Sequence, residues 1–261
     1  MKTLITSFTS IVIAAILALL TVPNANSMGL RSLVALPLDK YGYVIRFLYV
    51  HATNSNSDNF ISSAAYGLSN KQALLFAMPY KVTPRDEQEF SELSTLYRHT
   101  VIQDDFFSGT SRLALLAGAT FPIGDSPISD SPNVTANNSS NKHRDPAIQV
   151  GFVYTFFKNR HEFDFDTLYQ AGIDSRPNSG RYDISWQYRL SPSIYPDWGI
   201  APEIYMVTEL GGRWQAGDKI SHQVTLGLQW VHSTWGIEGG IVRNLSNNND
   251  LTLLLSSRFH F

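Results

Sequence analysis

The chain has 261 residues, 20 Lys and Arg against 22 Asp and Glu, a net charge of −2 and no cysteine. That balance argues against a polyanion-binding surface, so nucleic acid is not expected as a partner. The missing thiols exclude a disulfide framework and a lipoprotein attachment site, and stability must come from packing and backbone pairing.

Lys2 is the only charge before Arg31, residues 8–22 are largely apolar, Pro23 ends the run, and Ala25, Asn26 and Ser27 follow. A basic start, a short apolar core and small residues at the end describe an export signal over 1–27, cleaved after Ser27. The remainder, 28–261, is one domain of 234 residues, with 19 cations against 22 acids. No later apolar run approaches the ~20 residues that a spanning helix requires.

Period-two alternation then recurs through the chain. Over 41–51, Tyr41, Tyr43, Ile45, Phe47 and Tyr49 share a face with Arg46 opposite. Residues 60–68 and 72–80 form a hairpin around Ser69, Asn70 and Lys71. The span 96–106 is the weakest strand, because its polar and apolar residues do not sort. Over 111–121, Leu113, Leu115, Ala117, Ala119 and Phe121 face one way, with Arg112, Gly118 and Thr120 the other. Ile148, Val150, Phe152, Tyr154 and Phe156 share the next face. Over 161–171, Phe163, Phe165 and Tyr169 oppose Glu162, Asp164 and Asp166.

Over 181–190, Tyr182, Ile184, Trp186, Tyr188 and Leu190 oppose Arg181, Asp183, Ser185, Gln187 and Arg189. Ile204, Met206 and Leu210 then oppose Glu203, Tyr205 and Glu209. Val224, Leu226, Leu228 and Trp230 oppose Gln223, Thr225, Gly227 and Gln229. Ile237 and Ile241 oppose Glu238, Gly240 and Val242. The last strand, 251–261, carries Leu251, Leu253, Leu255, Ser257, Phe259 and the terminal Phe261 on one face.

An exported chain without spanning helices and rich in alternation crosses a bilayer only as a closed sheet, which satisfies every backbone donor and acceptor in hydrocarbon. The expected fold is therefore all-β: an antiparallel transmembrane β-barrel of about twelve strands, within ten to fourteen, with both termini periplasmic. At 234 residues, twelve strands leave 19.5 residues per strand and connection, which suits ~10-residue tilted strands. Short turns are expected at 69–71, 107–110, 158–160 and 231–234, and longer connections at 81–95, 123–146 and 172–180. The connection 191–202 is long and proline-rich where a short turn belongs. The expected site is the bacterial outer membrane. Outer-membrane lipid is the expected partner, with Phe259 and Phe261 as the aromatic signal read by the barrel-insertion machinery.

A charge costs ~2–4 kcal/mol on the lipid face near the midplane and little in the lumen. The expected lumen-lining set is Arg46, Arg112, Glu162, Asp164, Asp166, Arg181, Asp183, Arg189, Glu203, Glu209 and Glu238. A hairpin folded about Ser175 and Arg176 sets Glu162 opposite Arg189, Asp164 opposite Gln187, Phe163 opposite Tyr188 and Phe165 opposite Trp186. These charges either line a route for a solute or neutralise one another and plug the barrel.

No catalytic set is expected. The seven histidines are scattered, and His232 and Ser233, being adjacent, are expected to point to opposite faces. No metal-ligand spacing or phosphate-binding glycine loop is present, so neither cofactor nor metal is expected. Tripeptides at Asn133, Asn137, Asn138 and Asn244 match the glycosylation pattern by composition alone.

Several motifs, in order, resemble a family of outer-membrane transporters labelled the MetA pathway of phenol degradation family. They are Gly109-Thr110-x-Arg112-Leu113-Ala114 with Gly118-x-x-x-Pro122-x-Gly124, Phe163-Asp164-Phe165-Asp166, Tyr182-Asp183-x-Ser185-x-Gln187-Tyr188-Arg189-Leu190, Gly227-Leu228-Gln229-Trp230-Val231, Trp235-x-x-Glu238-Gly239 and the Phe-x-Phe ending. Ile123 stands where the family usually has Thr. The resemblance implies a single-domain barrel passing small, often aromatic or hydrophobic solutes, and supplies no catalytic residues. The expected function is thus passive passage of such solutes. The alternative is a structural, ligand-binding or partner-binding barrel with a plugged lumen, and a membrane-face hydrolase stands behind both.

Overall fold

The computed structural model describes residues 29–36, 38–83, 89–123, 145–195, 201–246 and 251–261. The export signal expected over 1–27, most of the 123–146 loop and the tripeptides at Asn133, Asn137 and Asn138 lie outside them. The described strands are β1 (Tyr43–Ala52), β2 (Ser57–Ser69), β3 (Gln72–Lys81), β4 (Glu89–Phe90), β5 (Glu92–Phe106), β6 (Gly109–Pro122) and β7 (Ala147–Lys158). They continue with β8 (His161–Gly172), β9 (Ser179–Ser191), β10 (Glu203–Gln215), β11 (Ser221–Val231), β12 (Trp235–Asn244) and β13 (Leu251–His260).

All neighbours run antiparallel, and β1 pairs with both β2 and β13, from Val44↔His260 to Ala52↔Thr252. With β2 also paired to β3 the ring has no open edge. The two-residue β4 pairs only with the end of β3, so twelve full strands make the barrel, the number expected. No helix among the described residues is long and apolar enough to cross a membrane.

The two faces are inverted relative to a protein with an apolar core and a polar surface. On β13, Leu251, Leu253, Leu255 and Phe259 are exposed while Thr252, Leu254, Ser256 and Arg258 are buried. Leu115, Phe121, Ile148, Val150, Leu226, Leu228, Ile237 and Ile241 continue the exposed apolar band. So large a contiguous apolar exterior is unstable in water and stable in lipid.

Aromatic pairs mark both borders of the band. At one rim His161, Trp186 and Tyr188 cluster, Trp230 meets Trp235 at 5.1 Å, and Tyr43 stacks on Phe261 at 4.8 Å. At the other rim Tyr169 meets Trp214 at 5.9 Å and Tyr80 meets Phe90 at 4.8 Å. Amphipathic rings prefer this depth, between hydrocarbon and water.

The short connections after β2, β5, β7 and β11 share the first rim, two of them using positive φ at Ser108 and Asn159. Tyr41 donates to the Gly67 carbonyl and Tyr43 to that of Phe261, so both ends of the barrel chain lie at this rim too.

One sequence expectation fails in detail. The β8–β9 pairing is slipped by two residues: Glu162 faces Gln187, Phe163 faces Trp186, Asp164 faces Ser185, Phe165 faces Ile184, and Asp166 faces Asp183. The turn is centred on Asp174 (φ 53°) and Ser175, and Arg176 instead turns its side chain to Glu92, 2.6 Å away. An even slip keeps every residue on its face while changing every partner. On β5, a bulge between Thr100 and Ile102 inserts Val101. Leu96, Arg98 and Thr100 point inward before it and Gln103 and Asp105 after it, which erases the alternation.

Candidate functional site

Residues 29–36 run through the inside of the barrel as a strap without regular structure, bent at Leu30, Arg31 and Ser32. Leu30, Ser32, Val34 and Ala35 are buried, and barrel side chains take up the strap's backbone groups. Arg46 Nη2 donates to the Leu30 carbonyl at 2.7 Å. Glu209 accepts from Arg31 N at 3.1 Å, Ser32 N at 3.2 Å and Ser32 Oγ at 3.0 Å. Asp166 accepts from Leu33 N at 2.8 Å, and Thr155 Oγ1 from Ala35 N at 2.9 Å. Arg98 Nη1 donates to the Val34 carbonyl at 2.8 Å.

The strap reaches from wall to wall. Leu30 lies over Gly227 of β11 and Gly240 of β12, and a Cβ on either glycine would collide with its Cδ1. Arg98 belongs to β5, diametrically across the ring from β11. Each end rests on an apolar pad. Leu30 packs with Val50, Val207, Val242 and Leu254. Leu33 and Ala35 pack with Leu75, Leu96, Leu116, Val153 and Leu168.

Between the pads, the wall from β8 round through β13 to β1 is charged. Glu238 accepts from Arg46 at 2.7 Å and lies 3.2 Å from Arg258. Asp183 meets Arg181 at 2.9 Å and Arg213 at 2.8 Å, and Arg181 also reaches Asp166 at 3.3 Å. The facing carboxylates Asp166 and Asp183 thus share Arg181, whose planar fork suits two acceptors at once, while Arg213 pairs with Asp183. Asp164 accepts from Thr155 at 2.6 Å and Gln187 at 2.9 Å. A charge buried here without such partners would cost several kcal/mol (order of magnitude).

The mouth at the short-turn rim is partly covered. Tyr195, from the connection 191–202, folds back so that its hydroxyl donates to Glu203 at 2.6 Å. Arg189 stacks on the Tyr195 ring at 4.2 Å and donates to its hydroxyl, and the Tyr205 hydroxyl donates to Glu203. Burial and the Glu203 carboxylate push the Tyr195 phenol up to about 12, so it remains a neutral donor at physiological pH.

Of the residues expected in the lumen, Arg46, Glu162, Asp164, Asp166, Arg181, Asp183, Glu209 and Glu238 face the bore, and Arg189 and Glu203 stand at its mouth. Arg112 also faces in, tied to Asp105 at 3.4 Å and Thr110 at 3.1 Å. The expected Glu162–Arg189 contact is replaced by the Tyr195 cluster. Sequence reading missed Arg98, which the β5 bulge hides, and Arg213, beyond the expected end of its strand. It also missed the strap, which has no repeating pattern.

His232 and Ser233 correct another expectation. They lie in the β11–β12 turn and not in a strand, so adjacency does not separate them: Ser233 Oγ is 3.1 Å from His232 Nδ1. The imidazole stacks on Trp235 at 5.5 Å, and no carboxylate is bonded to it among the described residues.

A closed barrel, oily outside, charged inside and crossed by its own chain defines a membrane-spanning β-barrel with an occluded bore. No family model and no curated protein matches the chain. Among solved structures, a KdgM porin is similar at TM-score 0.46 and 9% identity, over 84% of this chain and 99% of that one. Pseudomonas aeruginosa OccK11 is similar at 0.41 and 8%, over 85% and 66%. Acinetobacter baumannii OccAB2 gives 0.40 and 11%, over 82% and 59%. Such remote likenesses carry no residue roles to this chain, whose closure and strand count rest on its own pairing.

Proposed function

We propose that this chain is a bacterial outer-membrane channel for passive passage of small solutes, aromatic or hydrophobic ones among them, held shut here by the 29–36 strap. One observation carries the reading: the obstruction is a strap held by side chains, while the barrel closes its own hydrogen-bond ring without it. A gate of this kind can leave without unfolding the wall. The export-signal pattern, the outward aromatics Phe259 and Phe261 and the motif order support outer-membrane placement, with the short-turn rim toward the periplasm.

The second reading, a permanently plugged barrel that serves as a structural or partner-binding element, requires the same strap never to leave. Planar-bilayer recording separates the two. The full chain is expected to conduct rarely, and a variant lacking 29–36 to conduct persistently. A strap-less variant that folds as a barrel and never conducts overturns the channel. In a conducting variant, R189E is expected to shift ion preference toward cations, and an unchanged preference removes Arg189 from the path.

A further inference from the structure

We propose that Arg98 and the apolar pad around it form a binding site for small amphipathic carboxylates, with strap residues Leu33, Val34 and Ala35 occupying it in this conformation. The site deepens the channel reading, because it requires that the strap can be displaced.

Arg98 is 6% exposed and lies between Ala73 and Leu116, its cross-strand partners on β3 and β6. Every other buried arginine discussed above has a carboxylate or a tyrosine–glutamate cluster within reach. Arg98 has no carboxylate partner among the described residues, and its guanidinium donates to the Val34 carbonyl. A neutral carbonyl is a poor partner for a buried cation; a carboxylate forms shorter, charge-assisted and often bidentate bonds to the same fork. Arg112, the next cation along this wall, adds positive potential.

Beside Arg98 stand Leu96 on its own strand and its cross-strand partner Leu116, both part of an aliphatic pad with Leu75, Val153 and Leu168. Leu33 and Ala35 fill that pad while Val34 supplies the oxygen. The strap thus presents an oxygen acceptor flanked by aliphatic groups, which is the outline of a short fatty or aryl carboxylate. A neutral solute of the same shape gains the pad and not the ion pair. An amine is repelled.

The test uses the absence of cysteine from the chain. In the full chain carrying L33C, labelling by a neutral maleimide reports departure of the strap. Hexanoate is expected to accelerate labelling at least fivefold, while hexanamide and hexylammonium leave it unchanged. In L33C/R98Q the basal rate rises and hexanoate no longer changes it. Equal acceleration by acid and amide, no acceleration by hexanoate, or a response that survives R98Q overturns the site. The ligand series needs only L33C, so it decides the matter even where R98Q does not fold. A barrel that responds to hexanoate but passes no solute keeps the site and loses the channel; one that conducts and ignores hexanoate loses only the site.

Discussion

The wall from β8 round through β13 to β1 and the wall built by β3, β5 and β6 grip the same strap by opposite means. The first is a lattice of arginines and carboxylates: Arg46, Glu238 and Arg258 in one group, Arg181, Asp183, Arg213 and Asp166 in another. The second is aliphatic where it meets the strap, with Arg98 beside Leu96 and Leu116 while Arg112 is turned to Asp105. The charged wall is committed to itself. Its arginines stand in ion pairs with its own carboxylates, and it lends the strap Glu209, Asp166 and Arg46. The apolar wall has few internal polar commitments and one cation that looks outward for a partner. Rigidity lies on one side and ligand chemistry on the other.

The sharpest way to break this contrast is to unbalance the charged wall. Glu238→Ala leaves Arg258 buried without its carboxylate and should cost about 3–5 kcal/mol, read from urea unfolding of the lipid-inserted barrel. A cost below that of Leu116→Ala would show that the lattice does not hold the wall. Leu116→Ala, on the apolar side, removes packing and leaves a small cavity, and about 2 kcal/mol is expected in the same assay. It should also loosen the strap.

Glu209→Gln keeps the shape of the strap's anchor and removes its charge. Neutral bonds replace charge-assisted ones, so strap release in the L33C labelling assay should rise roughly fivefold, about 1 kcal/mol, with unfolding little changed. An unchanged labelling rate would mean that Glu209 merely accompanies the strap. The smallest effect belongs to Asp105→Asn. Asp105 is 56% exposed and pairs with Arg112 at 3.4 Å, so a loss under ~1 kcal/mol is expected from unfolding. A loss rivalling Glu238→Ala would erase the distinction between buried and rim charges.

The comparison also shows where sequence reading reaches its limit. Leu251 to Phe261 could be assigned faces from alternation alone, and so could the acids of β8 and the arginines of β9, because facing depends only on the parity of neighbours along one strand. Parity is local. The bulge at Val101 breaks parity within β5, so Arg98 was unreadable even though its residue type was plain. Connection 191–202 looked anomalous from its prolines, but its anomaly became a site only when Tyr195 met Arg189 and Glu203 across the mouth.

The sequence by itself determined a barrel of about twelve strands, its oily exterior and its charged interior, since each follows from period-two patterning and the cost of charge in lipid. The tertiary structure alone decided which acid meets which arginine, because the turn at Asp174 and Ser175 sets the register and ring closure brings distant strands together. It alone placed residues 29–36 in the bore. A strap without pattern of its own takes its path from partners more than a hundred residues away, such as Thr155, Asp166 and Glu209.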